Sequence, residues 1–310
     1  MTPDTYTNKE FMLAVGGGHQ LYVQDWGKKD ASLPIIFLHG GPGYGASDRH
    51  KRRFDPTKQR VIFFDQRGVG NSTPFGSLEH NTTQDLVEDI EKIADKLRLQ
   101  KYIITGSSWG SALALAYAIA HPKRIHTMVL SGIFTGTKAE IEYFRSGVFR
   151  THFPEVWEKL LARTPKKYHN DPIKYHYEQI LHGSPAAQRK SGYIYENTLG
   201  PLLRLDDRFS EQPFDEETFD PTSPRIEVHY MSQSCFLPEN YILDNAHKLT
   251  MPIWLVQGRY DFICPPQTAY ELHKRLPNSE LVWTQAGHSN DRGTHDVMRS
   301  LLLQLSKENS

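Results

Sequence analysis

Ser108 stands at the centre of Thr105-Gly106-Ser107-Ser108-Trp109-Gly110-Ser111. An apolar run, Tyr102-Ile103-Ile104, leads into this stretch, and an Ala/Leu-rich run, Ala112 to Ala116, leaves it. Strand, sharp turn and helix is the setting in which G-x-S-x-G lifts a serine hydroxyl above a sheet edge. Gly106 and Gly110 let the strand and the helix pass closely. The N-terminus of the helix and the free N–H of Trp109 favour negative charge beside Ser108. The chemistry that fits is nucleophilic attack by a serine hydroxyl.

Such a hydroxyl needs an adjacent base, itself oriented by an acid. In doubly wound folds these partners follow the serine in the order acid, then histidine, on loops at later strand ends. An apolar run, Ile253 to Val256, ends in Gln257-Gly258-Arg259-Tyr260-Asp261, and Leu281-Val282-Trp283 is followed by Ala286-Gly287-His288-Ser289. Either Asp261 or His288 alone is an ordinary loop residue, the histidine being one of 15. Order, strand ends and residue types together make Ser108, Asp261 and His288 a candidate triad. A tetrahedral oxyanion wants two backbone donors. The N–H of Trp109 is one. In His39-Gly40-Gly41-Pro42-Gly43, Pro42 has no N–H to give, so Gly41 is the natural second. No Walker lysine and no G-x-G-x-x-G accompany this loop, which argues against a phosphate cradle.

These residues require a particular scaffold. Phe11 to Val15 and Gln20 to Trp26 alternate apolar and polar residues around Gly16-Gly17-Gly18, which predicts an opening hairpin. Pro34 to Leu38 and Val61 to Phe64 are continuous apolar runs, as expected of parallel strands buried on both faces. Thr82 or Thr83 caps a predicted helix whose apolar positions Leu86, Val87, Ile90, Ile93, Ala94 and Leu97 keep helical spacing. Ile125 to Leu130 predicts a further strand, and Val297 to Leu305 a closing helix. Strands alternating with helices imply a doubly wound, mostly parallel sheet. Between about Lys138 and Asn245 that alternation stops, and aromatic-rich helical stretches take over. The expectation is an α/β core of residues 1–137 and 246–310 with an inserted helical cap of residues 138–245.

The 310-residue chain carries 36 basic and 36 acidic side chains, a balance that argues against a nucleic-acid or acidic-membrane partner. No stretch approaches the roughly 20 apolar residues that span a bilayer. The polar start, Met1 to Tyr6, lacks a signal pattern. Cys235 and Cys264 form neither a disulfide framework nor a metal-ligand spacing, so a reducing cytoplasm without cofactor or metal is expected.

The motifs His39-Gly40-Gly41-Pro42-Gly43, Asp65-Gln66-Arg67-Gly68, Gly106-Ser107-Ser108-Trp109-Gly110-Ser111, Gly258-Arg259-Tyr260-Asp261 with Cys264-Pro265, and Gly287-His288-Ser289 span nearly the whole core. In these the chain resembles the proline iminopeptidases of the α/β-hydrolase fold. The Gly-Gly-Pro-Gly loop combined with Trp after the serine is far more specific than G-x-S-x-G alone. The resemblance implies two cap glutamates that hold a substrate's free N-terminus: Glu196, after Tyr195, and Glu227, in Arg225-Ile226-Glu227-Val228-His229-Tyr230. Tyr195 departs from the family's usual Trp. A protonated imino nitrogen offers one positive charge and two N–H donors, which two carboxylates match with strong, charge-assisted bonds. The resemblance further implies a proline-ring pocket lined by aromatics and a cysteine, with Phe134 and Cys264 in matching positions and Phe144 as a third member. Met231 replaces an often aromatic residue.

The resemblance implies a serine exopeptidase that releases an N-terminal residue, preferably proline, from short peptides through an acyl-enzyme. A carboxylesterase or amide hydrolase of the same fold, and a non-catalytic ligand receptor, stay open on the residues alone. The serine at position 108 disfavours epoxide and haloalkane hydrolases, which place Asp there.

Overall fold

The computed structural model describes residues 6–143, 145, 148–205, 209–289 and 292–308. Its eight described strands form one sheet in the order β1-β2-β4-β3-β5-β6-β7-β8. In chain order, β1 (Tyr6–Gly16) and β2 (His19–Lys28) make the opening hairpin, followed by β3 (Ile35–Leu38), α1 (Asp48–Lys51), β4 (Arg60–Phe64) and α2 (Thr83–Lys96). Then come β5 (Tyr102–Ser108), α3 (Trp109–Ala120) and β6 (Ile125–Ile133). The hairpin closes through Gly16, Gly17 and Gly18, all at positive φ. It joins the rest antiparallel through β2 and β4, and every later pairing is parallel.

Alternation along the apolar strands explains why they read as unbroken runs. Ile36 and Leu38 of β3, with Ile62 and Phe64 of β4, face a core shared with α2 and α3. Ile35, Phe37, Val61 and Phe63 face the opposite core, closed by Met298 and Leu302. A strand covered on both faces has no polar position to show. Thr82 caps α2 as expected, accepting a hydrogen bond from the amide of Asp85.

Between β6 and β7 the described elements are all helical: α4 (Lys138–Glu142), α5 (Val148–His152), α6 (Pro154–Ala162), α7 (Pro172–His182), α8 (Pro185–Leu199), α9 (Thr222–Ser232) and α10 (Tyr241–Asn245). Phe149, Trp157, Ile180, Ile194, Tyr195 and Val228 give this insertion its own apolar cluster. The sheet then resumes with β7 (Ile253–Gly258), α11 (Pro266–Arg275), β8 (Ser279–Thr284) and α12 (Arg292–Glu308). Helix α9 seats the insertion on the core. Tyr230 donates to Asn81 Oδ1 at 2.8 Å, and its ring lies 4.8 Å from that of Trp109.

Candidate active site

Ser108 ends β5 and precedes the first residue of α3, with φ 58° and ψ −128°. Backbone held this far from the common regions costs on the order of 1–3 kcal/mol and is retained where surroundings enforce it. Here they do so through missing side chains. A Cβ on Gly106 would lie 2.4 Å from the Gly110 carbonyl oxygen, and one on Gly110 would lie 2.3 Å from that of Leu38. Ser111 braces the turn, its hydroxyl donating to the Ser108 carbonyl at 2.7 Å and accepting from the amide of Phe134 at 3.0 Å.

Asp261 follows β7 and is buried. Its Oδ1 accepts from the amides of Ile263 and Cys264 at 2.9 and 2.8 Å, which fixes the carboxylate plane. His288, on the loop after β8, turns Nδ1 to Asp261 Oδ2 at 2.9 Å. The imidazole and the serine converge on Gly132. A side chain there would lie 3.4 Å from His288 Cε1 and 3.5 Å from the Ser108 amide nitrogen. The acid-to-base link of a triad is in place, and the absence of a side chain at Gly132 leaves the imidazole and the Ser108 backbone close together.

Ser108, His288, Gly41, Phe134, Glu196, Glu227, Met231 and Cys264 all line one cavity of about 860 Å³. Trp109 is fully buried, and its indole Nε1 donates to Gln66 Oε1 at 2.8 Å. Gln66 also ties down the glycine loop. Its side chain donates to the His39 carbonyl at 3.0 Å, and its amide donates to His39 Nε2 at 3.0 Å. An Nε2 that accepts leaves the proton on Nδ1, which donates to the Gly40 carbonyl at 2.9 Å. Burial lowers the His39 pKa and keeps the ring neutral. The loop holding Gly41 and the amide of Trp109 thus share one clamp.

Glu227, on α9, is buried, and its Oε1 accepts from the hydroxyl of Tyr195 at 2.8 Å. Burial, opposed by that bond and reinforced by Glu196, pushes its pKa up to about 8. Glu196, on α8, is raised to about 7 by burial and by Asp220. Tyr44 stands near both carboxylates, whose charges add to burial in raising its phenol. Among the described residues the charges that act on these two carboxyls are acidic, so the pair is poised to ionise when a cation binds between them.

Cys264 is buried, and its thiol is raised well above the usual range, first by burial and then by Asp261 and Glu140. Asp261, Cys264 and His288 bring ligand atoms within 4.8 Å of one another. Asp261 and His288 are already bonded to each other, and the thiol stays protonated, so a metal there would have to break the acid–base pair. Phe144 lies outside the described residues.

A family model of the alpha/beta hydrolase fold matches residues 34–290. The proline iminopeptidase of Arabidopsis thaliana is 38% identical over 292 residues, covering 89% of this chain and 74% of that one. That of Neisseria gonorrhoeae is 38% identical over 281 residues, covering 89% of each. The chain belongs to the proline iminopeptidase family. Among solved structures, a Mycobacterium smegmatis proline iminopeptidase superposes with TM-score 0.65 at 18% identity, over 97% of this chain and 98% of that one. An Exiguobacterium antarcticum esterase does so with TM-score 0.66 at 18%, over 97% and 100%. Peptidase and esterase share this fold, so the fold does not separate them.

Several residues of this proline iminopeptidase family member carry weight that their sequence positions did not announce. Gln257 accepts from the amide of Ile133 at 2.8 Å and donates to Asp261 Oδ2 at 3.2 Å, joining the end of β6 to the acid. Glu140, at the start of α4, is buried and accepts from the amides of Thr135 and Thr137, holding the loop after Phe134. Tyr195, the departure from the family's Trp-Glu pattern, is the residue that orients Glu227. A polar residue inside a strand or a helix signals nothing until the partner from a distant element is known.

Proposed function

We propose that this chain is a serine aminopeptidase that removes N-terminal proline from short peptides. The observation that carries the reading is the pair Glu196 and Glu227 in the same cavity as Ser108 and His288. Esters and internal peptide segments have no cation to offset the buried carboxyl of Glu227 and the half-buried one of Glu196, and a free N-terminal proline does. In this mechanism the imino nitrogen sits between the two glutamates, and the ring packs against Phe134, Cys264 and Met231. His288 takes the proton of Ser108, and Oγ attacks the carbonyl while Asp261 holds the imidazole. The amides of Gly41 and Trp109 receive the oxyanion. Collapse breaks the C–N bond, and His288 passes its proton to the leaving amine. Water, deprotonated by the same imidazole, then hydrolyses the prolyl ester and regenerates Ser108.

Residues 138–245 act in this scheme as a cap that supplies the amine anchor, and residues 1–137 and 246–310 as the core that supplies the chemistry. No described helix is long and apolar enough to cross a membrane. We assign the chain to the cytoplasm on its two free cysteines. The test compares proline arylamide with its N-acetylated form. Acetylation removes the cation, so only the free imine should be turned over well. Equal rates on both would defeat the reading.

A further inference from the structure

The cavity that holds the glutamates also carries the opposite charge. Past the glycine loop, Arg49, His50, Arg52 and Arg53 of the α1 segment line the same cavity as Ser108, and His295 of α12 joins them. Among the described residues, the side chains of Arg49 and Arg52 make no ion pair. Arg53 is buried, with its guanidinium 5.9 Å from the ring of Phe37, which also packs 4.9 Å from His50. The two charged walls have separate surroundings. The charges that act on Glu227 and Glu196 are acidic, and those that act on His50 are Arg53, His39 and Arg49. Burial and those neighbours hold His50 down to about 4, so the arginines carry the positive charge of this wall.

We propose that Arg49 and Arg52 form a receptor for the C-terminal carboxylate of the leaving group, which makes the enzyme selective for short, zwitterionic prolyl peptides. The inference rests on the reading that the glutamates hold the substrate's amine. With the imine at the glutamates and the scissile carbonyl at Ser108, the leaving group extends toward the arginines. A short leaving group's backbone offers one anion there, its terminal carboxylate, which guanidinium forks bind in bidentate fashion. In this proposal a leaving group of one or two residues, advancing by about 3.3–3.6 Å per residue, carries its terminal carboxylate to these side chains. A cavity of about 860 Å³ also suits a ligand of di- or tripeptide size.

The experiment measures kcat/KM on prolylalanine, prolylalanine amide and proline arylamide. In the wild type the free acid should exceed the amide by roughly tenfold or more, one charge-assisted contact being worth about that factor. Arg49→Gln and Arg52→Gln should each lower the acid-to-amide ratio several-fold, and the double variant should bring it close to one. A wild-type ratio near one, or a ratio unchanged in the double variant, would overturn the receptor. The wild-type comparison needs no substitution and so stands even if a variant folds poorly. Proline arylamide separates the two readings. It has no carboxylate, so its failure as a wild-type substrate would defeat the prolyl reading itself, whereas its turnover with a ratio near one would defeat the receptor alone.

Discussion

Glu227 and Glu196 hold their protons at pH values where surface carboxylates have lost them. Binding of a cationic imine favours the ionised forms, so kcat/KM for proline arylamide relative to an ester should rise with pH through about 7 to 8. A flat ratio across that range would place the glutamates outside amine binding. Stability runs the other way. A carboxyl whose folded pKa is raised binds more protons folded than unfolded, so its contribution falls as pH climbs from the ordinary value to the raised one. Glu227→Gln cannot ionise, and it should raise the Tm of the free protein at pH 8.5 by a few degrees, roughly 1–2 kcal/mol. Thermal melts at pH 6 and 8.5 check this, the gain being the larger at the higher pH. Cys264 behaves differently from what its cavity position alone suggests. A thiol this buried and this reluctant to ionise reacts slowly, because the thiolate is the reactive form. Alkylation should inhibit over hours and not at once, and Cys264→Ala should abolish that slow loss while retaining turnover. Rapid inhibition would point to an accessible thiolate that the fold does not predict.

Strand β5, its turn and helix α3 were legible because glycines, an apolar run and a small-residue helix announce them in the right order. So were Asp261 and His288, which sit at strand ends where chain order alone narrows the choice. The clamp around them was not. Gln66 and Gln257 look like any polar residue beside a strand, and their partners, Trp109, His39 and Ile133, come from other elements. Glu196 and Glu227 were legible through motif resemblance, but the hydroxyl of Tyr195 on Glu227 was not, since α8 and α9 meet only in the fold. Gln66→Leu tests the clamp. It leaves Trp109 Nε1 and the His39 carbonyl without their side-chain partner, at about 1–3 kcal/mol each. The variant should lose several degrees of Tm. It should also lose kcat more than it gains in KM, because the amides of Gly41 and Trp109, the proposed oxyanion donors, lose register. A fall in Tm with kcat intact would make Gln66 a purely structural residue.

At the scale of the whole molecule, the α/β sheet and its loops carry Ser108, Asp261 and His288, and the helical insertion between β6 and β7 carries Glu196 and Glu227. Their registration depends on contacts such as Tyr230 with Asn81 and Trp109, and Ser223, whose hydroxyl donates to the Gly43 carbonyl at 2.8 Å. Tyr230→Phe keeps the ring contact and removes one hydrogen bond, so it should cost about 1–2 kcal/mol of stability by denaturant melt. If it costs nothing, the Tyr230–Asn81 hydrogen bond does not help to seat the insertion. The central claim joins both halves: core chemistry acts on a substrate whose charge the insertion holds. The measurement that tests it most directly is the ratio of kcat/KM on proline arylamide to kcat/KM on a simple aryl ester, in the wild type and in Glu227→Gln. Loss of one charge-assisted bond should lower that ratio by about 1.5–3 kcal/mol, roughly ten- to a hundredfold, with the ester rate near wild type. An unchanged ratio would mean that the carboxylates do not anchor the amine and that the protein is an esterase on this fold.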